Sequence, residues 1–104
     1  MIYHFSGQLK QLIDKGLDGN PDDVDYIMAH LTADSTFAMT RFVDYSLSLV
    51  TTQVGVERIR HYLFNGTLIQ RNYASLFLNR LGDWKTVKQA YEQGLIDEIQ
   101  AYSR

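Results

Sequence analysis

The residues best suited to chemistry cluster in one stretch. Between positions 58 and 88 the chain carries Arg58, Arg60, Arg71, Arg80, Lys85 and Lys88 against the single acid Asp83, with His61 beside them. Guanidinium and ammonium groups at helical spacing can hold phosphate or an acidic protein surface. Arg58 and His61 stand three residues apart, as do Lys85 and Lys88, so each pair occupies one helix face one turn apart. Arg58, Arg60, His61, Lys85 and Lys88 are therefore the candidate binding residues. Trp84 is expected to pack between helices, with exposure as an interaction anchor as its other role.

Other chemistries find no support in residue type or spacing. The chain has no cysteine, so it has no disulfide, thiol nucleophile or thiolate metal site. His4, His30 and His61 fall on three different expected helices, and none has a second ligand three or four residues away. The run Asp18-Gly19-Asn20-Pro21-Asp22-Asp23 resembles a calcium loop only at first sight. The glycine needed at its sixth position is Asp23, the glutamate needed at its twelfth is Ala29, and Pro21 starts a helix. No phosphate-binding glycine loop, nucleophile elbow or paired-histidine zinc motif occurs. Asp44 and Glu57 lack any evident partner for general base catalysis. No enzyme activity, metal or cofactor is expected.

The elements that must position these residues are helices. The 104 residues leave room for one domain, and 45% hydrophobic with 21% charged residues suits a folded chain. A net charge of −2 argues against a general nucleic-acid-coating protein, although residues 1–52 hold three cations against seven acids and residues 53–104 seven against five. No apolar run nears the roughly 18 residues of a membrane span, and the start Met-Ile-Tyr-His-Phe lacks a secretory pattern. A cytoplasmic protein is expected, with no membrane partner.

Start and stop signals divide the chain. Asn20-Pro21 followed by Asp22 and Asp23 opens a helix. Asn65-Gly66 stops one, through a left-handed glycine, and Thr67 with Gln70 opens the next by a capping box. Gly82 ends that helix, Asp83 caps another, and Gly94 ends it. Phe5, Leu9 and Leu12 mark a first helix, Val24, Ile27 and Leu31 a second, and Val56, Ile59 and Leu63 a fourth. A fifth runs from about Leu68 to Leu81, with an apolar set (Ile69, Tyr73, Ala74, Phe77, Leu78, Leu81) wide enough for burial on several sides. Val87 and Ala90 mark a sixth. A third, about Ser35 to Val50, is assigned helix although Val43, Tyr45, Leu47 and Leu49 alternate as in a strand.

The chain also repeats itself. Val24, Ile27 and Leu31 recur 32 residues later as Val56, Ile59 and Leu63, and Val87 with Ala90 follows after another 31. Phe42, Val43, Leu47 and Val50 match Tyr73, Ala74, Leu78 and Leu81 at 31 residues. Two short helices per repeat are the mark of an α-solenoid, whose core is supplied by stacking. Within residues 67–90, Arg71, the small pair Ala74-Ser75, the turn Leu81-Gly82-Asp83 and Val87 resemble the HEAT-like repeat of the phycobilisome-lyase type. The resemblance covers about a quarter of the chain. It weakens in residues 32–64, where Thr51-Thr52-Gln53 replaces Leu-Gly-Asp, and in residues 1–31 it rests on the second helix alone. It implies a scaffold whose inner, second helices form a binding surface, without implying lyase activity.

The expected fold is thus all-α: about seven short helices in antiparallel pairs, forming a small right-handed HEAT-like solenoid, with a compact helical bundle as the alternative. The repeats are placed at 1–31, 32–64 and 65–94, with a cap helix at 95–104. Leu95, Ile96, Ile99 and Tyr102 give that helix an apolar face, which either caps the stack or pairs with a second copy through Ile99 and Tyr102. A non-catalytic protein–protein interaction module is the expected function, its partner another protein. A nucleic-acid-binding protein or transcriptional regulator using residues 58–88 is the alternative. A helix-turn-helix around Gly82 fits poorly, because Leu78 occupies the position that needs a small residue and Lys88 falls where an apolar contact belongs.

Overall fold

The computed structural model describes residues 7–103. Over that span the chain is all-helical: α1 (Gly7–Asp18), α2 (Pro21–Met28), α3 (Phe37–Ser48), α4 (Gln53–Asn65), α5 (Leu68–Leu81), α6 (Trp84–Glu92) and α7 (Glu98–Tyr102). Phe5, expected in the first helix, and His4 lie outside the described residues. Contacts cluster into two compact units that divide between Gly55 and Val56, inside α4.

In the amino-terminal unit α1 packs against α2 and α3, and α2 against α3. The buried apolar residues are Leu12, Val24, Ile27, Met28, Leu31, Val43, Leu47 and Val50. Val43 and Leu47 lie four apart on α3 with Tyr45 exposed between them, so the strand-like alternation is overridden by a helical face. Helix α3 starts after Thr36, whose hydroxyl accepts the Met39 amide at 3.1 Å. The acids after Gly19 form a helix start, as their spacing predicts. The Asp23 carboxylate accepts the Asn20 amide at 3.1 Å and lies 3.5 Å from Lys15 Nζ. Burial pushes the Asp23 carboxyl up, but these groups and the neighbouring Asp18 outweigh it and hold the group below its ordinary value.

In the carboxy-terminal unit α5 packs against α6 and α7, and α6 against α7. Ile59, Leu63, Ala74, Phe77, Leu78, Val87, Ala90 and Ile96 are buried. Thr67 and Gln70 form the capping box of α5: the Thr67 amide donates to Gln70 Oε1 at 2.9 Å, and the Thr67 hydroxyl accepts the Gln70 amide at 3.4 Å. Thr67→Ala should lower stability by about 1 kcal/mol, read as a shift in the urea midpoint. An unchanged midpoint would mean that the packed face of α5 holds the helix start without the cap.

Gly82 closes α5 at φ +93°, where the Asp83 amide reaches back to the Leu78 carbonyl at 2.9 Å. Gly66 differs from expectation. It follows α4 without a left-handed φ. Glycine is required there by crowding, since a Cβ would meet the Tyr62 carbonyl oxygen at 2.7 Å and Gln70 Cβ at 2.9 Å. Arg71 fastens this corner to the chain's end, donating to the Gly66 carbonyl at 2.9 Å and the Leu95 carbonyl at 2.7 Å.

Two apolar expectations are corrected. On α5 only Ala74, Ser75, Phe77, Leu78 and Asn79 are buried, whereas Leu68 is 60% and Leu81 52% exposed. The five buried residues nevertheless span more than half of the helix circumference, as the wide apolar set implies, and the exposed member of that set is Leu81 at the end of the helix. The last helix spans only Glu98–Tyr102 and begins at Asp97, whose carboxylate accepts the Gln100 amide at 2.8 Å. Leu95 and Ile96 precede it in the loop with Ile96 buried, while Ile99 and Tyr102 remain exposed. The four residues do not make one helical face, because the Asp97 cap starts the helix after the first two.

Candidate functional site

The five candidate binding residues receive different surroundings. Arg60 ties α4 to the turn between α5 and α6: its Nε donates to Asp83 Oδ2 at 2.7 Å, and its Nη1 pairs with Glu57. Asp83 holds the N-cap position of α6 and turns its carboxylate to Arg60. Burial pushes the Asp83 carboxyl up. The Arg60 guanidinium and the nearby Thr86 outweigh that effect and hold it below the ordinary carboxylate value. Grouping by charge placed Arg60 among the binding residues, but its planar fork is engaged in holding the fold.

On the same helix the Arg58 guanidinium lies over the Tyr62 ring, 5.7 Å from its centroid. The exposed His61 meets the Tyr62 ring edge-on at 5.8 Å, and its carbonyl accepts from Asn65 Nδ2 at 3.0 Å. Lys85 and Lys88 are exposed on α6, one turn apart, and among the described residues neither is paired with an acid.

Lys88 belongs to a built feature. Trp84, Lys88 and Tyr91 follow at i, i+4 and i+7 and so share a face of α6, adjoining the face of the buried Val87 and Ala90. Together with Asn79 of α5 and Ala101 and Tyr102 of α7, they line a cavity of about 120 Å³. Asn79 builds it. This residue is buried, and its Nδ2 donates to the carbonyls of Gln100 and Ala101 at 3.1 and 3.2 Å, drawing α7 onto α5. Its own carbonyl accepts Trp84 Nε1 at 3.2 Å, which sets the tilt of the indole. Trp84 nevertheless keeps 54% of its surface exposed, and Tyr102 68%.

The sequence had singled out Trp84, Lys88 and Tyr102 but not Tyr91, Asn79 or Ala101. The i, i+4, i+7 spacing of Trp84, Lys88 and Tyr91 was the readable signal. Nothing local marked Asn79 or Ala101. Among the described residues no group of His, Asp and Glu gathers to hold a metal ion, and no helix is long and apolar enough to cross a membrane. The imidazole of His30 is engaged locally, with Nδ1 2.8 Å from the Tyr26 carbonyl oxygen. The arrangement on α6 and α7 presents exposed aromatic surface beside the Lys88 ammonium group. Comparison with protein-family models, with curated proteins and with solved structures finds no match to this chain.

Proposed function

We propose that this chain is a non-catalytic protein-interaction module on a short HEAT-like helical-repeat scaffold, with α6 as its principal presenting helix. The observation that carries this reading is the exposed row Trp84, Lys88 and Tyr91, joined by Tyr102 around a cavity. Tryptophan and tyrosine contribute disproportionately to protein interfaces, because their large rings bury much area at little entropic cost. Lys85 extends the positive edge of that row, and Arg58 and His61 on α4 supply further contacts. The repeat reading is supported by burial at matched positions: Ile27, Ile59 and Ala90 are buried, as are Leu31 with Leu63, and Val43 and Leu47 with Ala74 and Leu78, while Val56 is half-buried and Leu81 is exposed where Val50 is buried.

The test introduces a photo-cross-linking residue at Lys85 and, in a second protein, at Asp34 in the loop before α3. Discrete protein adducts are expected at position 85 and not at position 34. The charge reversals Lys88→Glu and Arg58→Glu should reduce them at least about fivefold, since rim charges steer encounter. Adducts equal at both positions would sink the reading. Nucleic acid would take its place if light scattering showed a duplex-oligonucleotide complex at about 50 mM salt that dissociates at about 300 mM, the signature of phosphate contacts.

A further inference from the structure

We infer that the cavity between α5, α6 and α7 seats one apolar side chain of a partner peptide whose neighbouring residues are acidic, with Lys88 pairing to one of those carboxylates. This rests on the reading of α6 as a protein-binding helix and adds the chemistry of what it binds.

Size comes first. A cavity of about 150 Å³ holds a benzene-sized guest. The roughly 120 Å³ here therefore suits an isobutyl or single-ring side chain and is too small for a fused two-ring one. The walls select for apolarity. Trp84, Tyr91 and Tyr102 contribute ring surface and Ala101 a methyl group. The Asn79 amide nitrogen beneath them is already engaged by two backbone carbonyls, and the indole N–H is held by a third. These donors are not offered to a polar guest.

Charge decides the flanks. Three aromatic rings around a small cavity would otherwise suit a quaternary ammonium, but among the described residues Lys88 is the one charged residue lining this cavity, and it repels a cation. Among the described residues Lys88 has no acidic partner, and Lys85 stands one turn away in the same condition. The exposed Glu92, one turn beyond on the same helix, leaves Lys88 unpaired. An incoming carboxylate would meet the Lys88 ammonium group beside an apolar seat, with Lys85 one turn away.

Trp84 is the only tryptophan in the chain, so its fluorescence reads this cavity directly. The probe is a blocked pentapeptide with a central leucine between pairs of glutamates. Its comparisons carry serine in place of leucine, or lysines in place of the glutamates. The leucine–glutamate peptide should shift Trp84 emission saturably. The serine peptide should bind at least about tenfold more weakly, the loss expected for an unburied leucine, and the lysine peptide should give no saturable shift. Lys88→Glu should reverse the preference between the glutamate and lysine peptides. Ala101→Phe, which fills the cavity, should abolish leucine-peptide binding with an unchanged circular dichroism spectrum. If that variant does not fold, Ala101→Leu serves as the smaller filler.

Equal affinity for the serine peptide would overturn the cavity inference while leaving a charge-driven interaction surface standing. No response to the leucine peptide up to about 1 mM, an affinity of about 4 kcal/mol, would also overturn it. The cross-linking at position 85 would then judge the module reading separately. A Lys88→Glu protein with unchanged preference would overturn the assignment of the carboxylate to Lys88.

Discussion

Replacing Gly16 with alanine is expected to destabilise the amino-terminal unit by about 3 kcal/mol. The sign is the informative part. Gly16 lies inside α1, where exchange of glycine for alanine ordinarily gains about 1 kcal/mol through reduced backbone entropy in the unfolded chain. Here the new Cβ would stand 2.2 Å from the Ser46 carbonyl oxygen, 3.1 Å from the Ser46 carbonyl carbon and 3.2 Å from Leu49 Cβ. The obstacle is backbone in the last turn of α3, and it cannot rotate away as a side chain would. The two helices must separate, and the close packing between them loosens. Urea unfolding followed by circular dichroism reads the change, with exposed Gln8→Ala in the same helix as the control. A Gly16→Ala protein as stable as the parent would show that α1 and α3 do not approach this closely.

Arg60→Ala is the second large effect, at about 2 kcal/mol. A hydrogen bond to a charged group contributes about 1.5–3 kcal/mol, and breaking a fully buried ion pair costs about 3–5. The lower figure applies here because the Arg60 side chain is 31% and the Asp83 side chain 19% exposed. Arg60→Lys should recover only part of the loss, since an ammonium cannot span Glu57 and Asp83 as the planar guanidinium does.

The pH dependence separates this role from a ligand contact. Asp83 is held below its ordinary value of 3.8 in the folded protein. Its contribution is therefore complete above that value and is lost as pH falls through the lower, folded value. The gap between Arg60→Ala and the parent should be widest at neutral pH and close in strong acid. A gap independent of pH would dissociate Arg60 from Asp83. If Arg60 served only a partner, its removal would leave stability unchanged.

Legibility divides along the same line as these two effects. Helix starts were readable because a cap uses residues within about four positions: Thr67 with Gln70, Asn20-Pro21 with Asp23, and Gly82 at the end of α5 all act where they stand. Periodicity located the buried faces of α2, α4 and α6 for the same reason, since Val24 and Ile27, Ile59 and Leu63, and Val87 and Ala90 are neighbours along one helix. It failed at the end of α5 and on the last helix. Leu68 and Leu81 carry the same hydrophobicity as Leu78, but no neighbouring element covers them, and the Asp97 cap separates Leu95 and Ile96 from Ile99 and Tyr102.

The sequence by itself determined an all-helical chain, its turns, and a cation-rich stretch from residue 58 to residue 88. It did not decide which of those cations support the fold. Arg60 and Lys88 are alike in charge and in helical setting. Asp83 arrives beside Arg60 from 23 residues further along, whereas among the described residues no acid reaches Lys88. In the same way Trp84, Lys88 and Tyr91 form a row by helical spacing alone. The row becomes a cavity only because buried Asn79 draws the carbonyls of Gln100 and Ala101 onto α5 from 21 and 22 residues away. Helical order is a property of residues a few positions apart. A pairing or a cavity depends on groups that meet only after the chain has folded back on itself, and local spacing carries no record of that meeting.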